Sequence, residues 1–297
     1  MTASVDFRAG YLAIVGCPNV GKSTLMNRLV GAPLSITSRK AQTTRHRIHG
    51  ILTTEDRQYV FVDTPGFQTR HRTALNRAMN RSLNAALADV DAILFVIEGT
   101  RWRPEDASIL ERLPAGKPVI LVINKVDRLA DKTTLLPFLA AAGARHPFAE
   151  LVPVSAERGD NLDALLAAAG RHLPVAPPIF GPDELTDRSE RFLAAEILRE
   201  KLFRNLGEEL PYGIAVEIEK YEEAAGVRRI HAAVIVDKEA HKAMVIGQGG
   251  ARLKRMASDA RLDMEKLFGG KVWLETWVKV KRGWADDARA LKSLGYE

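Results

Sequence analysis

The run Gly16-Cys17-Pro18-Asn19-Val20-Gly21-Lys22-Ser23 constrains this chain more than any other feature, because it needs a strand before it and a helix after it. Both are present: residues 12–15 form an apolar run, and 22–30 carry apolar residues at helical spacing. Glycines at 16 and 21 let the backbone curl until successive N–H groups point inward at one anion, and the following helix adds its positive end. In that arrangement the Lys22 ammonium reaches the outer phosphates of a nucleotide, and the Ser23 hydroxyl faces a Mg²⁺ ion.

Further apolar runs recur at 59–62, 92–97, 118–123 and 151–154, separated by segments of helical spacing at 76–90, 106–113, 133–144 and 161–173. Short continuous apolar strands alternating with helices predict an α/β domain with a mostly parallel sheet covered on both faces. Ligands of such sheets bind beyond the carboxyl ends of the strands, so the residues following each run carry the information. After 59–62 come Asp63-Thr64-Pro65-Gly66, about 40 residues beyond Lys22. A carboxylate there can hold the Mg²⁺ shell, and the Gly66 N–H can approach a γ phosphate. After 118–123 come Asn124-Lys125-Val126-Asp127. The Asp127 carboxylate can accept two parallel hydrogen bonds from guanine, and adenine would leave it unpaired, so guanine is the expected base. Asn124 can tie loops together, the Lys125 stem can lie over the ring, and the Ser155-Ala156 backbone can cap the base oxygen.

These four elements, in this order, resemble a translational-type GTPase domain. The loop 32–47 then resembles a first switch segment, in which Thr43 or Thr44 would complete the Mg²⁺ shell. Ras-like proteins place a glutamine directly after the D-x-x-G motif to orient the attacking water; here the residue is Phe67, so slow unaided turnover is expected. Asn19 resembles the asparagine of GTPases that recruit K⁺ beside the phosphates, which makes Lys22, Asn19, Gly66 and one of the two threonines the candidate catalytic set.

Four prolines in residues 174–182 mark a stiff boundary. The reading is a GTPase domain over 1–173, a linker over 174–187, and a second domain over 188–297. The second domain reads helix, strand, strand, helix, helix, strand, at 189–206, 213–223, 228–237, 241–246, 251–268 and 271–280. Between its paired helices lies Ile246-Gly247-Gln248-Gly249-Gly250, followed by Arg252, Lys254 and Arg255. A G-x-x-G turn there lets a nucleic-acid backbone approach, while helix ends and basic side chains neutralise phosphates. Residues 1–175 carry a net +6 and 176–297 a net 0, yet within that neutral half 238–282 hold 11 Lys/Arg against 5 Asp/Glu, which suggests one electropositive face. This resembles a type II KH domain, a single-stranded RNA clamp. Trp273, Trp277 and Trp284 are expected to pack rather than to stack on bases, and the tail after 283 to pack on its domain.

Residues 35–48 and 278–287, together with the GTPase–KH order, resemble the bacterial Era family of GTPases over nearly the whole chain. The resemblance implies an assembly factor for the 30S ribosomal subunit that binds GTP and GDP with Mg²⁺, and whose KH domain contacts the 3′ region of small-subunit ribosomal RNA. It also implies peripheral membrane contact. Gln248 departs from the family's frequent G-[NK]-x-G form. Two rivals stay open: a membrane-associated signalling GTPase whose KH-like domain mediates protein contacts, and an RNA-binding scaffold that holds nucleotide without turnover. The single cysteine, Cys17, cannot form an internal disulfide, and no apolar run approaches the roughly 18 residues that span a bilayer; a cytoplasmic monomer is expected.

Overall fold

The computed structural model describes residues 6–38, 43–65, 74–207 and 210–296. Gly66 and Phe67, for which the sequence sets expectations, lie outside the described residues. Contacts divide the molecule into two units. The first takes in the described residues up to Ser35, from Thr44 to Pro65, and from Asn80 to Asp187; the second takes in 36–38, Thr43, 74–79 and those from Arg188 onward.

The first unit is a six-stranded sheet, β1 Arg8–Val15, β2 Ile48–Thr53, β3 Arg57–Asp63, β4 Ala92–Glu98, β5 Val119–Asn124 and β6 Glu150–Pro153, in the order β2-β3-β1-β4-β5-β6. All neighbours run parallel except β2, which is antiparallel to β3. β5 is buried at every position and β4 at all but Glu98, as strands covered on both faces must be. The helices are α1 Lys22–Val30, α2 Ala74–Ala88 (of which 74–79 belong to the second unit), α3 Pro104–Leu110, α4 Leu135–Gly143 and α5 Leu162–Gly170.

β2 is absent from the sequence expectation, since IHGILT carries a polar residue and a glycine among its apolar ones. Gly50 is needed there: a Cβ would stand 2.8 Å from Val30 Cγ2 and 3.0 Å from Met26 Cγ, both on α1. The proline-rich stretch runs along the sheet rather than hanging free. Val175 bridges Arg8, the Gln58 amide exchanges hydrogen bonds with Ile179 and Phe180, and Leu185 accepts from the Ile51 N–H at 2.9 Å.

The second unit contains α6 Glu190–Asn205, β7 Ile214–Ala224, β8 Val227–Val236, α7 Glu239–Ile246, α8 Ala251–Phe268, β9 Lys271–Val280 and α9 Ala288–Ser293. Its sheet order is β7-β8-β9, with β7 antiparallel and β9 parallel to β8. One sheet face buries Ile214, Ile218, Ile230, Val234, Val272 and Val278 against α6 and α8. The opposite face is capped by the tail, with Trp284 1% exposed and packed beside Leu291 and Tyr296. Tail packing is as expected, but Trp273 is not a packed residue: it is 47% exposed beside the His231 ring.

α6 is also not the one-faced amphipathic helix its spacing implies. It buries Leu193, Ala194, Ile197, Leu198, Leu202 and Phe203 together with Glu196 and Arg199. The two charges pair in a fork, Arg199 Nε to Glu196 Oε1 at 2.8 Å and Nη2 to Oε2 at 2.6 Å, and pairing is what permits burial. Arg199 also donates to the carbonyl of Thr43.

Candidate nucleotide site and KH turn

The phosphate loop leaves β1 through three positive-φ residues, Gly16 at +152°, Asn19 at +66° and Gly21 at +102°. A Cβ on Gly16 would lie 2.2 Å from the Val96 carbonyl oxygen, so only glycine fits there. Asn19 is a residue type that tolerates the left-handed region, which gives it a local structural reason as well as a candidate ligand role. Lys22 opens α1, is buried, and donates from Nζ to the Gly16 and Cys17 carbonyls at 3.0 Å each. Burial lowers its pKa, opposed by the nearby Asp63 carboxylate.

Asp63 ends β3 fully buried, and its Oδ2 receives three hydroxyls: Ser35 at 2.6 Å, Ser23 at 2.9 Å and Thr44 at 3.0 Å. Ser23 and Thr44 are 3.1 Å from each other. Asp63 Oδ1 is buried and has no hydrogen-bond partner among the described residues. Burial pushes the Asp63 carboxyl upward, and the Ser35 hydroxyl heads the opposing influences, ahead of Lys22, Ser23 and Thr44. A cluster of hydroxyls beside an unpaired carboxylate oxygen is the hard-oxygen donor set that Mg²⁺ takes, so the residues fit that ion. Thr44 belongs to this cluster and Thr43 does not. Thr64 is anchored below it, donating to the Ile14 carbonyl at 2.9 Å, and Pro65 is buried beside it.

The base-side loops are cross-tied through Asn124, which is 2% exposed. Its Nδ2 donates to the Val20 carbonyl at 2.8 Å; its Oδ1 accepts from the N–H groups of Lys125 at 2.8 Å and Ala156 at 3.0 Å. Lys125 sits at φ +64° and reaches back to the Asn19 carbonyl at 2.6 Å and to Glu98 at 2.8 Å. Val126 and Asp127 lie in the short 3-10 turn that follows. The Ser155 hydroxyl holds the Asp127 carboxyl below its usual range, and its Oδ1 is without a partner among the described residues. The expected backbone cap is already engaged elsewhere: Ser155 N–H donates to the Asp160 carbonyl at 3.1 Å, and Ala156 N–H to Asn124. Ser35, Asn27, Glu98 and Asp106 are parts of this neighbourhood that motif spacing did not single out.

In the second unit, Gly247, Gly249 and Gly250 all have positive φ, at +71°, +55° and +78°. A Cβ on Gly247 would meet the Arg252 Cβ at 2.7 Å, whereas Gly249 and Gly250 face open space. Ile246 ends α7 and Gln248 is exposed at the turn. Of the three basic residues beyond, Arg252 donates to the Met244 carbonyl at 2.8 Å and Arg255 makes a long contact of 3.4 Å to Asn205. Lys254 is exposed.

A mostly parallel sheet with a glycine-rich loop at its switch point, a carboxylate–hydroxyl cluster at the end of β3 and the cross-tied Asn124–Asp127 segment at the end of β5 are the frame of a P-loop GTPase domain, here joined to a KH domain. Comparison with known proteins agrees. Residues 11–125 match the family described as 50S ribosome-binding GTPase, and 209–285 match the KH domain family. The chain is 58% identical over its full length, and that of the relative, to GTPase Era of Nitrosomonas eutropha. It is 55% identical to GTPase Era of Chromobacterium violaceum over 98% of both chains. Two solved structures superpose at a TM-score of 0.94 and 40% identity, covering 98% of this chain and 99% of theirs. One is an Aquifex aeolicus Era variant bound to GDP and AlF4⁻; the other is Era with MgGDPNP and nucleotides 1506–1542 of 16S ribosomal RNA. The chain belongs to the GTPase Era family.

Proposed function

We propose that this GTPase is a switch that docks on small-subunit ribosomal RNA through its KH domain and assists 30S subunit assembly. The observation that carries the nucleotide half is the convergence of Ser23, Thr44 and Asp63 on one buried point beside Lys22. The RNA half is supported by the open, left-handed Gly249-Gly250 turn, and by the related structure that holds a 16S ribosomal RNA fragment. Ser23, Thr44 and Asp63 would hold Mg²⁺, which supplies charge neutralisation at the outer phosphates. Residues 16–23 would cradle the phosphates, with Lys22 opposite the transferring group, and Asn124 to Asp127 would select guanine. Ile246 to Gly250 with Lys254 would clamp RNA, and the boundary between the two functions falls in 174–187.

The test is a pair of variants. Asp127→Asn should exchange guanine for xanthine preference with the fold intact. Gly249→Asp should abolish crosslinking to ribosomal RNA while leaving GTP hydrolysis unchanged. Retained RNA crosslinking in Gly249→Asp, or retained guanine preference in Asp127→Asn, refutes the corresponding half. K⁺ is proposed as an additional cation at Asn19: replacing Na⁺ by K⁺ should accelerate hydrolysis, and Asn19→Gly, which keeps the left-handed backbone, should lose that response. Peripheral membrane contact is proposed from the family resemblance alone; among the described residues no helix is long and apolar enough to cross a membrane.

A further inference from the structure

Ser35 falls in the 32–47 segment that resembles a first switch, where the sequence assigns it no role, yet its hydroxyl makes the shortest of the three contacts on Asp63 Oδ2, at 2.6 Å, from a residue only 4% exposed. Its backbone is held independently of any ligand. Asn27 on α1 accepts from the N–H groups of Leu34 and Ser35 at 3.0 and 2.9 Å and donates to the Ser35 carbonyl at 2.8 Å. Asn27 stands one helical turn beyond Ser23 on α1, so one helix fixes the positions of both hydroxyls.

A carboxylate left to itself turns about its Cβ–Cγ bond and exchanges its two oxygens. A hydroxyl has one proton to donate and two lone pairs. Ser23 and Thr44 have lone pairs to offer a cation, and their proton directions answer to that cation. The contact the Ser35 hydroxyl makes is with the carboxylate, at 2.6 Å, and its position is set by the Asn27 clamp. With Oδ2 pinned, Oδ1 is the oxygen left over, and it is the one with no partner among the described residues.

We propose that Ser35 is a positioning residue for Mg²⁺. Its hydroxyl fixes the Asp63 carboxylate so that Oδ1 faces the ion's coordination shell, and the Asn27 clamp keeps the hydroxyl in place. This rests on the reading of Ser23, Thr44 and Asp63 as the Mg²⁺ residues. Removing a group that orients a metal-binding side chain characteristically weakens metal binding about 10–100-fold.

The experiment uses the full-length protein loaded with fluorescent GDP, and follows its dissociation across buffered free Mg²⁺ concentrations. For Ser35→Ala, the Mg²⁺ concentration that half-maximally slows release should rise about tenfold or more. Release in excess EDTA should match wild type, because the nucleotide contacts themselves are untouched. Ser35→Thr, which keeps a hydroxyl, should restore the wild-type midpoint. A Ser35→Ala midpoint within about twofold of wild type, or a Ser35→Thr midpoint as poor as that of Ser35→Ala, overturns the proposal. Should Ser35→Ala not fold, Ser35→Cys, which keeps the volume with a much weaker donor, is judged by the same criterion. If wild-type release itself ignores Mg²⁺, the underlying site reading fails instead, and the two failures are distinguishable.

Discussion

Replacing Asn124 by alanine tests whether one amide organises both sides of the nucleotide site. The change removes three hydrogen bonds from a residue that is 2% exposed: the donation to Val20, and the acceptances from Lys125 and Ala156. A buried hydrogen bond contributes about 1 kcal/mol net, and a buried partner stranded by truncation costs about 1–3 kcal/mol. Water filling the vacated space can satisfy some of the stranded groups, so the expected loss is about 3–4 kcal/mol. Against a domain stability of about 5–15 kcal/mol, the unit still folds. Because the chain has two units, the loss is best read by native-state hydrogen exchange at buried β1, β4 and β5 amides rather than from one global melt. Asn124→Asp separates the contributions. A carboxylate still accepts from Lys125 and Ala156 but cannot donate to the Val20 carbonyl, so it should keep the base loops and release the phosphate loop. A stability change in Asn124→Ala below about 1 kcal/mol would refute the cross-tie argument.

Glu196→Ala strands the buried Arg199 and should cost about 3–5 kcal/mol in the second unit, measured by urea denaturation; a near-neutral result would mean the pair is dispensable. The Cys17 thiol, pushed up to about 12 by burial and by the Asp106 carboxylate, should resist alkylation at pH 8 until the protein unfolds, and rapid native labelling counted by mass spectrometry would contradict that. The Glu190 carboxyl is held below its ordinary value by the Arg228 guanidinium, which bonds it at 2.7 and 3.0 Å, with the Tyr221 hydroxyl assisting against partial burial. A depressed folded-state pKa adds stability that is present above the unfolded value of about 4.3 and disappears as pH falls through the folded one. Glu190→Gln should therefore flatten the acid limb of the second unit's urea midpoint between about pH 5 and 3.

What could be read from residue order alone follows a physical division. The phosphate loop, Asp63 and the Asn124–Asp127 segment are legible because each follows a buried strand, where spacing along the chain fixes position in space. α1, α8 and β9 begin and end where periodicity places them, since glycines or an apolar run bound each. β2 is not legible, because its glycine answers to the close approach of α1 and not to any pattern along β2 itself. Glu196 and Arg199 mislead in the other direction: charges on a helix read as a solvated face unless their mutual pairing is known. Ser35 and Glu98 depend on contacts made across the fold, Ser35 with Asp63 and Glu98 with Lys125, which no local pattern records. Thr43 and Thr44 are equivalent in sequence, and only the backbone's course decides which hydroxyl meets Ser23.

The clasp made by Gln58 bears on how this molecule can be cut into pieces. That side chain is 0% exposed, and its amide is satisfied by Thr53 together with Ile179 and Phe180. An excised N-terminal fragment that stops at Leu173 would leave the buried Gln58 amide of β3 without Ile179 and Phe180 and the Ile51 N–H of the edge strand β2 without Leu185, and so invite misfolding for reasons unrelated to catalysis. Extending the fragment through Leu185, whose carbonyl covers the Ile51 amide, keeps that edge closed.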